Sequence, residues 1–101
     1  MTFEELQKGI LKVAEVYSER FGVTIDQDFA LLKLVEEVGE YSQAVLVHRK
    51  KSKPEKHVSE NESKKLIANE LADIIGLAIM NANLFGIDLE NAIKEKWLTK
   101  T

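Results

Sequence analysis

The sequence predicts an all-α protein, a four-helix bundle, and three observations carry that expectation. Apolar residues recur at helical intervals through most of the 101-residue chain. No segment alternates apolar and polar residues with a period of two, and no Asn-Gly or Asp-Gly pair marks a hairpin. Capping residues and glycines fall between the periodic segments, which divides residues 1–101 into helices of a single domain.

Phe3, Leu6, Ile10, Val13, Val16 and Tyr17 share one face of a first helix over residues 3–20. Phe21-Gly22 closes it, the glycine supplying the C-terminal turn. Asp26 or Thr24 caps the next helix, and Asp28 suits its electropositive first turn. This second helix is expected from Gln27 to Lys50, with Phe29, Leu32, Val35, Val38, Val45 and Leu46 among its apolar positions. The stretch HRKKSKPEKHVSENESKK, His48 to Lys65, holds one apolar residue and the only proline, and reads as a solvated, mobile loop. Ser59 and Glu62 stand at capping-box spacing before a third helix, Asn61 to Phe85. Gly86 stops that helix, and Asp88 caps a short fourth one, Leu89 to Leu98.

Composition narrows the functional classes. The net charge of −3 gives no overall basic footprint, which argues against a nucleic-acid partner. Without cysteine there is no disulfide framework, no thiolate nucleophile and no cysteine metal site, in keeping with a cytoplasmic location. The N-terminal residues are acidic and amphipathic, unlike a signal peptide. The longest apolar stretch, Ile74 to Met80, contains Gly76 and is too short to span a bilayer, so no membrane association is expected.

The unusual feature is where the carboxylates fall. In KLVEEVGEY, Lys33 to Tyr41, Glu36, Glu37 and Glu40 lie within about a third of the helix circumference. Like charges at that spacing destabilise an isolated helix. In NELADIIG, Glu70 is centred on a stripe formed by Leu66, Ile67, Ile74, Leu77, Asn81 and Leu84, with Asp73 at its edge. That stripe is the packing face, where an unpaired charge costs several kcal/mol and must be protonated or meet a cation. An EExxE run alone is usually a solvated helix face. The second cluster, on a packing face, is what points to a metal. Two adjacent helices can offer inward-facing carboxylates to one ion. Oxygen-only ligands, with no histidine in either motif, favour Mg²⁺, or Mn²⁺, over zinc or non-haem iron.

The pattern Glu36-Glu37-x-x-Glu40 followed by Glu70-x-x-Asp73 resembles the MazG-like, all-α nucleoside triphosphate pyrophosphohydrolases. KLVEEVGEYSQAV, NELADIIGLAI and LFGIDLENAIKEKW extend the likeness over about residues 27–98. The 29 residues between Glu40 and Glu70 are at the long end for that family, and the excess falls in the polar loop. The arginine that often follows the family's C-terminal lysine is missing here.

The resemblance implies Mg²⁺-dependent cleavage of ribo- or deoxyribonucleoside triphosphates to the monophosphate and pyrophosphate, as nucleotide-pool house-cleaning. It implies Glu37, Glu40, Glu70 and Asp73 as metal ligands. Glu36 becomes a further ligand or the group orienting the attacking water. Lys94 and Asn91 become residues near the phosphates, and a homodimer or dimer-of-dimers is the expected assembly. Apolar residues on both sides of the third helix point to an oligomer independently. Two alternatives stay open: a non-catalytic helical module that binds metal, nucleotide or protein, and an enzyme of the phosphoribosyl-ATP pyrophosphohydrolase type.

Other candidates rank lower. His48, Arg49, Lys50, Lys51, Lys53 and Lys56 form a basic cluster, read as a solvated linker, with no interleaved aromatic to stack on a base. His48 and His57 are expected to be exposed. Phe29, Tyr41 and Phe85 are expected in the core, one of them a candidate wall for a base pocket. Trp97 is expected in a helix–helix gap or an oligomer interface. Ser18 and Ser42 have no histidine partner for nucleophilic catalysis.

Overall fold

A computed structural model describes residues 1–50 and 54–99, and every regular element among them is helical. Helix α1 spans Phe3–Phe21 and is set at both ends by its sequence. Thr2 Oγ1 accepts from the Glu5 N–H at 3.1 Å while Glu5 Oε1 accepts from the Thr2 N–H at 3.3 Å, a reciprocal capping box. Gly22, at φ 63°, takes the left-handed turn that ends α1.

Helix α2 spans Gln27–His48. Of the two candidate caps it uses Asp26, whose Oδ1 accepts from the Phe29 N–H at 2.9 Å. It stops short of the expected Lys50, which turns to a left-handed φ of 56°. A short 3₁₀ turn, Pro54–Lys56, precedes α3, Glu60–Leu84. Ser59 Oγ accepts from the Glu62 N–H at 3.2 Å, so residues 60–65 form the first turns of α3 rather than the tail of a loop. Lys51 and Lys53 of the basic cluster lie outside the described residues.

Gly86, at φ 67°, ends α3, and the Ile87 N–H returns to the Ala82 carbonyl at 2.8 Å. Asp88 Oδ1 caps α4, Leu89–Ile93, by accepting from the Asn91 N–H at 3.0 Å. The expected single terminal helix instead widens into a π-helical turn, Lys94–Leu98. There Thr99 Oγ1 donates to the Glu95 carbonyl at 2.8 Å, competing for an acceptor that α-helical winding would give to a backbone N–H. The terminal segment departs from α3 at 113°.

Helices α2 and α3 pack antiparallel. Ala30 of α2 meets Asn81 of α3, Glu37 meets Glu70 and Asp73, and His48 meets Ser63. Helix α1 lies against α3, where Ile10 Cγ2 is 4.0 Å from the position a Cβ on Gly76 would occupy. The buried apolar residues among those described are Ala14, Ala30, Ala44, Ile79 and Ala82, so the helices approach mainly through small side chains.

The larger apolar residues point elsewhere. Leu32 and Val35, two of the apolar positions of α2, are 66% and 61% exposed. Phe85, expected in the core, is 60% exposed because it caps the C-terminus of α3 beyond its packed face. The accessible surface is 7685 Å², against about 5,800 Å² for a compact monomer of 11.4 kDa. The radius of gyration is 16.0 Å, where about 13 Å is usual for this length. No single helix among the described residues is long and apolar enough to cross a membrane.

Candidate metal centre

The centre is built where α2 and α3 run side by side. On α2, Glu36, Glu37 and Glu40 can each turn a carboxylate oxygen to within 4.8 Å of the others. Across the helix pair, Glu37, Glu70 and Asp73 do the same. Glu37 belongs to both groups and is the hinge of the constellation. Glu36, Glu40 and Asp73 are exposed, whereas Glu37 and Glu70 are half-buried. All five carboxylates singled out in the sequence therefore fall in one patch.

Glu37 Oε2 and Glu70 Oε2 are both buried, and neither has a hydrogen-bond partner. Ionised carboxylates offer only acceptors, so they cannot satisfy one another. A proton on Glu37 would relieve the deficit, since the acid could then donate to Glu40 or Glu70. Burial, those two hydrogen bonds and the charges of Glu40 and Asp73 together push the Glu37 carboxyl up to about 8. A divalent cation relieves the same deficit in another way, by drawing on the orphaned oxygens directly. The all-oxygen donor set fits Mg²⁺ or Mn²⁺.

Beside the carboxylates is a cavity of about 300 Å³, at the small end of the range for ligand sites. Its lining includes Glu37 and Asp73 together with Tyr17, Ile25 and Phe29. Of the three aromatic residues expected in the core, Phe29 is thus the one that walls a pocket. A larger hollow of about 560 Å³ adjoins it between α1 and the end of α3, lined by Ser18, Thr24 and Asn83. It contains no part of the five-carboxylate patch, so the smaller cavity is the one tied to the chemistry.

Lys33 was not foreseen as a site residue. It lines the cavity, one helical turn before Glu37 on the same face of α2. Its Nζ is 3.2 Å from Glu36 Oε1 and 6.0 Å from the centre of the Phe29 ring. The hydrogen bond and charge of Glu36 hold the Lys33 ammonium above its ordinary value. The i to i+4 spacing of Lys33 and Glu37 was the available signal.

Lys94 and Asn91 are placed differently. Both are exposed on the terminal segment; Lys94 Nζ pairs with Glu90 Oε2 at 3.7 Å and Asn91 Nδ2 donates to Glu95 Oε1 at 3.4 Å. Neither lines the cavity beside the carboxylates. His48, expected to be exposed, is half-buried with its Nδ1 2.7 Å from Ser63 Oγ. Ser63 Oγ donates to the Glu60 carbonyl at 2.9 Å, so it accepts from His48 Nδ1–H. The sequence does not reveal this pair because it joins two helices across the loop. Ser18 and Ser42 donate to the carbonyls of Val23 and Val38 and meet no histidine. Trp97 is 75% exposed on the terminal segment.

No protein-family model, curated protein or solved structure matches this chain.

Proposed function

We propose that this protein is a Mg²⁺-dependent nucleoside triphosphate pyrophosphohydrolase. The observation that carries the reading is the pair of buried carboxylate oxygens without a partner, on Glu37 of α2 and Glu70 of α3, two residues that with Asp73 stand at ligand spacing. Structural polar groups in helix interfaces are satisfied. Two left orphaned, in a cluster of ligand spacing beside a ligand-sized cavity, support a cation site next to a substrate site.

In this reading Glu37, Glu40, Glu70 and Asp73 hold the ion, Mg²⁺ or Mn²⁺. When bound, the ion neutralises phosphate charge and acidifies a coordinated water. Glu36 accepts a proton from the attacking water or orients it, being on the same helical face and more exposed than Glu37. Tyr17, Ile25 and Phe29 give the base an apolar, partly aromatic wall. Water adds across the bond between the α and β phosphoryl groups, and the monophosphate and pyrophosphate leave. The resemblance of EExxE and ExxD to the MazG-like enzymes points to the same reaction.

The working form is proposed to be a homodimer or a dimer of dimers. The surplus surface, the extended shape and the exposed Leu32, Val35, Phe85 and Trp97 support it. Lys94 and Asn91 are proposed to reach the triphosphate within that assembly, since the terminal segment projects away from its own α3. A cytoplasmic location agrees with the absence of cysteine.

The test is pyrophosphate release from a panel of ribo- and deoxyribonucleoside triphosphates, phosphoribosyl-ATP included, with Mg²⁺ and with EDTA. Metal-dependent release of pyrophosphate with monophosphate is the expected outcome. A second reading, a non-catalytic module that binds nucleotide, rests on the exposed position of Lys94. It would show as thermal stabilisation by nucleotides with no product across the panel.

A further inference from the structure

We infer that the larger hollow, between α1 and the end of α3, receives the edge of the substrate's base and selects guanine, with Glu19 as the residue that reads it. This rests on the triphosphate reading above, which leaves the base open. Ala14, Ile25 and Met80 line both this hollow and the cavity beside the carboxylates. A nucleotide held by its phosphates at the metal centre, its base against Ile25, therefore has the edge of that base within reach of the larger space. At about 560 Å³ the hollow is well inside the range of small-molecule sites, and a purine needs the roomier of the two spaces.

The chemistry of the lining suits that role. No lysine, arginine or histidine lines the hollow among the described residues, so it does not suit a phosphate. Most of its polar groups are acceptors. The carboxylates of Glu15 and Glu19, one turn apart on α1, offer oxygens that accept. Ser18 Oγ has given its proton to the Val23 carbonyl, so toward a ligand it too only accepts. Glu15 already pairs with Lys12 at 3.8 Å, whereas Glu19 has no cation partner among the described residues. Guanine is the common base that matches this supply. Its N1–H and 2-amino group are adjacent donors, and one carboxylate accepts from both in a forked pair. Adenine and cytosine set a single amino group beside a ring nitrogen that repels a carboxylate. Uracil and thymine enclose their one N–H between two carbonyls. Asn83, in the last turn of α3, and Thr24, between α1 and α2, bring the donors that the guanine 6-oxygen needs.

The experiment compares GTP with ITP, which differs from it only by lacking the 2-amino group, as substrates of the wild type and of Glu19→Gln in Mg²⁺. It measures kcat/KM for each, with thermal stabilisation by Mg²⁺ alone as the control for an intact carboxylate cluster. The wild type is expected to prefer GTP over ITP by about tenfold or more, the worth of one charge-assisted hydrogen bond. Glu19→Gln is expected to lower kcat/KM for GTP much more than for ITP, so that the preference falls to about twofold or less. Stabilisation by Mg²⁺ stays as in wild type. Should the glutamine variant misfold, Glu19→Ala serves for the same comparison.

A wild type that hydrolyses GTP and ITP equally well would overturn the inference and leave the triphosphate reading intact. So would a preference for GTP that survives in Glu19→Gln. Equal loss of both substrates in the variant would overturn it too, by making Glu19 a structural part of α1. A wild-type protein that hydrolyses no triphosphate removes the reading, and the inference with it.

Discussion

Helices α2 and α3 bury polar groups at two levels, and only one level satisfies them. Near the loop, Ser63 is 2% exposed, accepts from His48 and donates to the Glu60 carbonyl. Near mid-helix, Glu37 Oε2 and Glu70 Oε2 are buried with nothing to accept from. The helices, their antiparallel register and their small packing residues are shared. The difference separates a polar contact that holds the structure together from one that, on the proposed reading, takes a metal ion. Asn81 belongs with the first kind, since its Nδ2 donates to the carbonyls of Ala30 and Leu77 at 3.1 and 2.7 Å.

Substitution at the unsatisfied level should have the largest effect. Glu37→Gln or Asp73→Asn should lower pyrophosphate release by about a thousandfold or more, the several kcal/mol a bound metal supplies. The fold should survive, as read by circular dichroism. Full activity in either variant would erase the distinction between the two levels.

A pH series sharpens the comparison next. The Glu37 carboxyl is raised to about 8, above its unfolded value, so between the two values the folded chain binds more protons than the unfolded one. Stability without metal is therefore fullest below the unfolded pKa and falls as pH rises through about 8. In EDTA, the melting temperature should drop between about pH 5 and pH 9, and Mg²⁺ should restore it most at the alkaline end. Glu37→Gln should flatten the drop and abolish the Mg²⁺ effect. A wild-type profile that is flat in EDTA contradicts the assignment.

The satisfied level should respond in stability alone. Ser63→Ala leaves His48 Nδ1–H half-buried without its acceptor and should cost about 1–2 kcal/mol in a denaturant titration. Mg²⁺ stabilisation and turnover per folded molecule should not move. The smallest effect belongs to the exposed Lys64–Glu60 pair at 3.5 Å, where Lys64→Ala should shift the melting temperature by no more than about two degrees. These two variants fix the baseline against which the carboxylate effects are judged.

Much of this contrast was legible in the sequence. The carboxylate patch could be found because EExxE and ExxD each obey helical spacing, and one of them falls on an apolar stripe. The caps at Asp26, Ser59 and Asp88 were legible because capping is local chemistry. The burial of Ser63 and its bond to His48 were hidden, since they depend on how a polar loop returns the chain. The outward turn of Leu32, Val35 and Phe85 was hidden for a related reason. Helices apolar on more than one side do not announce which side their own chain covers, and here alanines take the inner positions. The place of Lys33 in a cavity wall needed the third dimension as well, because only the fold brings Tyr17 of α1 into the same cavity.

The most direct test of the central claim is calorimetric titration of the metal-free protein with Mg²⁺ at pH 7, in two buffers of different ionisation enthalpy. Glu37 holds a proton at that pH, so binding at the carboxylates must expel it. Saturable binding with a buffer-dependent heat that reports proton release, lost in Glu37→Gln, is the predicted result. An absence of saturable binding, or an isotherm that Glu37→Gln leaves unchanged, would show that the orphaned oxygens are not a metal site.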